Sequence, residues 1–134
     1  MITLAEENYL KAIWAISLNT DEKASTNAIA DEISTSAASV SDMLRKLQEK
    51  ELIKYEKYKG VELSEKGRNL ATSIIRKHRL WETFLVNKLA FNWGEVHDVA
   101  EQLEHIKSEE LVDRLDAFLD CPKFDPHGEP IPTK

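Results

Sequence analysis

The sequence predicts a mainly α-helical protein in which an N-terminal winged helix-turn-helix is followed by an all-helical domain. Three observations carry this reading. Apolar residues recur at helical spacing along most of the 134-residue chain. A short helix, a tight turn and a longer helix at residues 26–50 run directly into a β-branched and aromatic segment with a Lys59-Gly60 turn. Beyond residue 64, only the break at Asn92-Trp93-Gly94 and a short link near Ser108 interrupt the helical pattern before the tail, where all four prolines lie.

The elements follow in order. Leu4, Leu10, Ile13, Trp14 and Leu18 form an apolar stripe over residues 4–18, and Thr3 with Glu6 has the spacing of a capping box. Residues 19–25 are a polar loop. Residues 26–33 make a short helix with Ala28, Ile29 and Ile33 inward. Ser34-Thr35-Ser36 turns the chain and offers an N-cap to a helix over 37–50, whose apolar face is Val40, Met43, Leu44 and Leu47. Residues 52–58 and 61–63 are the arms of a hairpin. Ser64 caps a long helix reaching about residue 88, with Gly67 a mild local cost. Further helices are expected at 95–106 and, from Ser108, to about 119. The tail reads as an extended arm or linker. The domains are therefore 1–72, 73–122 and a Pro-rich 123–134.

With 42% hydrophobic and 31% charged residues, the composition fits an ordinary globular chain rather than a disordered one. No apolar run is long enough for a bilayer, which points to no membrane partner and a cytoplasmic location. The single cysteine, Cys121, excludes an internal disulfide. The net charge of −6 argues at first against nucleic acid, but it is unevenly spread. Residues 1–79 hold 13 basic against 12 acidic side chains, and residues 80–134 hold 5 against 12.

The near-neutral first part carries a basic patch. Arg45, Lys46, Lys50, Lys54, Lys57 and Lys59 outnumber Glu49, Glu51 and Glu56, which suits a phosphate backbone. Ser36, Ala37, Ala38, Ser39, Ser41, Asp42 and Arg45 would sit at the start of the second helix, where a recognition helix meets the major groove of double-stranded DNA. Small and hydroxyl side chains allow close approach. Asp42 is less expected, since an acid suits only a cytosine amino group. The bland alternative is a helical pair with a solvated charged face.

The acidic second part holds a different constellation. His78 and Glu82 stand four apart. His97, Glu101, Glu104 and His105 fall within roughly a 100° arc if 95–106 is one helix. Charge gathered on one face is costly unless it is paired or metal-bound. Imidazoles and carboxylates without a thiolate suit Mn²⁺ or Fe²⁺, with Zn²⁺, Co²⁺ or Ni²⁺ accepted in vitro. The second domain is thus read as metal-binding. Trp81, Phe84, Phe91, Trp93, Leu111, Leu115 and Phe118 would form its core or a subunit interface of a homodimer.

RKHRLWE at 76–82, VHDVAEQLEH at 96–105, AEENYLKAIW at 5–14 and HGEPIP at 127–132 resemble the diphtheria-toxin-repressor family of iron- and manganese-dependent repressors. The resemblance implies a homodimer that binds a palindromic operator when metal is bound. It implies two metal positions per subunit, one with His78, Glu82 and His97, the other with Glu101, Glu104, His105 and Asn8. Glu101 matches the manganese-sensing branch. Asn8 matches neither the Met of the iron branch nor the acid of the manganese branch, and Lys11 replaces an acid found in members with a close-set manganese pair. Many members continue into an SH3-like domain that donates further ligands.

The expected function is therefore a metal-dependent transcriptional repressor rather than an enzyme. A helical di-metal oxidase or hydrolase is one alternative, although Glu101 and His105 are four apart rather than the three of a Glu-x-x-His pair. A metal-independent winged-helix regulator is the other.

Overall fold

The computed structural model describes residues 2–19, 23–56 and 59–134. They divide into two compact units, residues 1–71 and 72–134.

In the first unit, α1 (Leu4–Asn19) begins with the expected capping box. The Glu6 N–H donates to Thr3 Oγ1 at 3.1 Å, and the Thr3 N–H donates to Glu6 Oε1 at 2.9 Å. The same carboxylate accepts from Lys50 Nζ at 2.8 Å. Helices α2 (Thr26–Ile33) and α3 (Ala37–Glu49) form the helix-turn-helix. Ser25 and Ser36 cap them, each hydroxyl accepting from the N–H three residues on. The turn is made by Ser34 in the left-handed region, with φ 63°. Strands β1 (Ile53–Glu56) and β2 (Gly60–Leu63) pair antiparallel, Ile53 opposite Leu63, and Ala24 adds a bridge to Val61. Lys57 and Tyr58 lie outside the described residues.

Leu10, Ile13, Ile29, Val40, Leu44, Leu47, Leu52 and Val61 are completely buried and form one core. That core fixes which face of α3 is free. Ser64 caps α4 (Glu65–Leu89) through the Gly67 N–H. Gly67 is no incidental cost: a Cβ there would stand 1.9 Å from the Leu52 carbonyl oxygen.

The second unit holds the rest of α4 with α5 (Trp93–Leu103) and α6 (Glu109–Phe118). Asn92 is a cap rather than part of a break, because its side chain accepts from the Gly94 N–H and α5 starts at Trp93. That helix ends at Leu103, so Glu104 and His105 leave it instead of continuing its face to residue 106. Ser108 caps α6 as expected. Leu80, Val112 and Leu115 form the buried centre, with Trp81, Phe84, Leu119 and Ile131 against it. The tail is not an extended arm. Phe124 bridges Pro130, Gly128 closes the turn at φ 87°, and Ile131 reaches the core. Prolines bar a helix here, but not a turn held by the N–H groups of Asp125, Gly128 and Ile131.

Candidate metal centre and nucleic-acid face

Three elements of the second unit bring titratable side chains together. His78 and Glu82 are one turn apart on the buried face of α4, His97 comes from the first turns of α5, and Asp125 and His127 come from the tail. Glu82 Oε2 is the hub. It lies 3.4 Å from His78 Nε2, 4.0 Å from His97 Nδ1 and 3.5 Å from His127 Nδ1. Among the described residues, two groups have donor atoms all within 4.8 Å of one another: His78, Glu82 and His97, and Glu82, Asp125 and His127.

The sequence did not single out Asp125 and His127. Its only signals were a fourth histidine and the HGEPIP motif. Asp125 Oδ1 accepts from the N–H groups of His127 at 2.9 Å and Glu129 at 2.8 Å. Oδ2 is buried without a hydrogen bond, 3.8 Å from His127 Nδ1.

The remaining expected ligands are distributed differently. Glu101 is half-exposed and pairs with His97 Nε2 at 2.9 Å. Glu104 is fully buried and turns to His78, Oε1 to Nδ1 at 2.7 Å, with Oε2 3.6 Å from His105. Glu101, Glu104 and His105 are therefore not gathered as a third group, because two of them are engaged by the histidines of the first. Asn8 lies half-buried on α1, in the first unit.

The electrostatics follow from this pairing. Burial alone would depress the His78 imidazole, but hydrogen bonding to Glu104 and Glu82 and their negative charges hold it up at about 9. Burial pushes Glu82 up, yet His78 brings it below the usual carboxylate range. Asp125 is raised, by burial first, and by the neighbouring Glu82 against the opposing backbone hydrogen bonds.

In the first unit, Val40, Leu44 and Leu47 point into the core. Ser36, Ala37, Ala38, Ser39, Ser41, Asp42, Arg45 and Lys46 are exposed. The Ser36 hydroxyl is committed to capping, accepting from the Ser39 N–H. Asp42 pairs with Arg45 one turn on. Lys59, on the hairpin, pairs with Glu56 at 3.2 Å. Lys57 lies outside the described residues.

Residues 1–61 match the iron-dependent repressor N-terminal DNA-binding domain, and residues 64–133 match the iron-dependent repressor metal-binding and dimerisation domain. The chain is 38% identical over 104 residues to the iron-dependent repressor IdeR of Mycobacterium tuberculosis, covering 78% of this chain and 45% of that one. It is 44% identical over 72 residues to a probable metal transport system membrane protein of Chlamydia trachomatis, covering 54% of this chain and 16% of that protein. A manganese-dependent transcriptional repressor solved in complex with manganese superimposes with a TM-score of 0.86 at 46% identity, covering 95% of this chain and 58% of that one. The chain thus spans under half the length of these two curated relatives. With both of its halves matched, the chain belongs to the iron-dependent repressor family.

Proposed function

We propose that this chain is the metal-sensing and DNA-binding part of a transcriptional repressor that acts as a homodimer on a palindromic operator. The observation that carries the reading is the convergence of His78 and His97, and of Asp125 and His127, on the buried Glu82, with the two histidines His97 and His127 at the solvent side. The donors fit Mn²⁺ or Fe²⁺: imidazole nitrogens and carboxylate oxygens converge without a thiolate, Cys121 being exposed outside both groups. The buried Asp125 Oδ2 has an unused lone pair beside them.

A bound cation supplies the positive charge that lets these carboxylates ionise side by side. Without it, His78 holds a proton between Glu82 and Glu104, and Asp125 is biased toward its neutral form. Glu101, Glu104 and His105 make a second position in this proposal, reached after Glu101 and Glu104 release their histidines.

Major-groove reading falls to Ala37, Ala38, Ser39, Ser41, Asp42 and Arg45, and phosphate contact to Ser36, Lys46, Lys57 and Lys59. Ser36 would contact phosphate through the exposed start of α3. The exposed Trp93, Leu111 and Phe118 supply apolar surface for a second copy. Among the described residues no helix is long and apolar enough to cross a membrane, which agrees with a cytoplasmic regulator. The family is one of transcriptional repressors, and the proposed activity is binding rather than turnover.

The test is titration of palindromic duplex DNA with the protein in Mn²⁺ or Fe²⁺ and in chelator. Binding at least tenfold tighter with metal supports the reading. Equal affinity in chelator refutes metal control and favours a metal-independent regulator.

A further inference from the structure

The four consecutive side chains 76–79 of α4 each reach a different part of the second unit. Arg76 bonds Asp116 at 3.2 Å and faces Asp113 at 3.6 Å, both on α6. Lys77 Nζ donates to the Ile106 carbonyl at 3.1 Å, and His78 meets Glu104. Arg79 reaches the tail, donating to the Pro130 carbonyl and to Glu129 Oε2 at 2.7 Å. The Arg79 side chain is only 12% exposed although its acidic partner is open to solvent.

We propose that Arg79 is a positioning residue that clamps the 123–131 turn onto α4 and so presents Asp125 and His127 to Glu82. The inference rests on reading those three residues as metal ligands.

The turn is closed on itself by the Asp125 N–H to Glu129 carbonyl bond and the Ile131 N–H to Lys123 carbonyl bond, both 2.9 Å. A turn this small does not hold its place alone in water. Beside the edge contact of His127 with the Trp93 ring at 5.2 Å, it is attached by Ile131 in the apolar core and by the Arg79 fork on residues 129 and 130. The fork acts next to the ligands, because Glu129 is two residues from His127 and its N–H holds Asp125 Oδ1. With Oδ1 held by the turn, Oδ2 goes wherever the turn goes. A planar guanidinium making two bonds sets both place and angle, which one flexible ammonium would not.

The test uses the full chain and Mn²⁺ alone as probe, in Arg79→Gln, Glu129→Gln, Asp125→Asn and the Arg79→Gln/Asp125→Asn double variant. Hydrogen exchange of the tail amides is read without metal, and Mn²⁺ affinity by calorimetry. Arg79→Gln is expected to speed exchange at Asp125 and Ile131 by about tenfold and to weaken Mn²⁺ about tenfold, as loss of an outer-shell partner does. Glu129→Gln, on an exposed side chain that leaves the fold intact, should move both readouts the same way by less. In the Asp125→Asn background Arg79→Gln should cost no further affinity.

Unchanged exchange in Arg79→Gln overturns the clamp. So does an undiminished affinity loss in the double variant, which would place its effect elsewhere. If Asp125→Asn weakens Mn²⁺ while Arg79→Gln does not, the clamp alone fails. If Asp125→Asn binds Mn²⁺ like wild type, the ligand reading fails and the clamp falls with it.

Discussion

Removing the carboxylate of Glu104 by Glu104→Gln should change how the second unit responds to pH and how much proton is released on metal binding. Glu104 is fully buried and stands 2.7 Å from His78 Nδ1, so it is a main reason His78 keeps its proton up to about 9. The free imidazole titrates near ~6.5, so the raised value corresponds to about 3 kcal/mol favouring the folded imidazolium. Since the folded value lies above the free one, this stabilisation is complete below about pH 6.5 and is lost as pH rises through about 9. The same proton opposes metal. At pH 7 an ion using His78 must displace it at a cost of roughly 3 kcal/mol, so binding should release about one proton. Calorimetry in two buffers of different ionisation enthalpy measures that proton, and imidazole NMR of the metal-free protein measures the titration. Glu104→Gln keeps the shape, lowers the His78 value and reduces proton release at pH 8. An imidazole that titrates normally in wild type, or metal binding without proton release at pH 7, would refute the reasoning. Glu104→Ala should also destabilise the metal-free fold by about 2–4 kcal/mol, since it empties a fully buried position and leaves His78 Nδ1 without its 2.7 Å partner.

Other outcomes are equally specific. Glu6 is held below the usual carboxylate range despite burial, by Lys50 and the Thr3 cap. Its stabilisation is therefore present above about pH 4.5 and lost as pH falls through its lower folded value. Glu6→Gln should flatten that acid limb in urea unfolding from pH 3 to 7, and an unchanged limb contradicts the pairing. Gly67→Ala should destabilise by about 1–3 kcal/mol, although alanine favours helices, because its Cβ meets the Leu52 carbonyl. A rise in melting temperature would show that the backbone yields there. Arg45→Ala should cost about 1–3 kcal/mol of operator affinity and relax one base position, whereas Lys59→Ala should weaken all duplexes alike and lower the salt slope by about one. Selection of the same consensus by Arg45→Ala removes that residue from base readout.

Local chemistry was readable from the chain. Thr3 with Glu6, Ser36, Ser64 and Ser108 cap helices as their spacing implies, because a cap depends on residues three positions apart. The hydrophobic stripe of 37–50 gave the buried and open faces of α3 directly. Asn92 misled, since an Asn-Trp-Gly run looks like a break until its side chain is seen to cap. Separately, the expected helix ran on to 106, whereas α5 ends at Leu103 with Glu104 as its C-cap and His105 beyond it. Asp125 and His127 were hidden for a different reason. Their approach to Glu82 depends on a tail folding back across more than forty residues, and no periodicity encodes that. The His78–Glu104 pairing is likewise tertiary.

The most direct measurement is anomalous diffraction at the manganese edge from crystals grown with Mn²⁺. A peak is expected in coordination distance of Glu82, with His78 and His97 or Asp125 and His127 around it. Peaks only at exposed carboxylates, with Glu82 and His78 Nε2 unliganded, would contradict it.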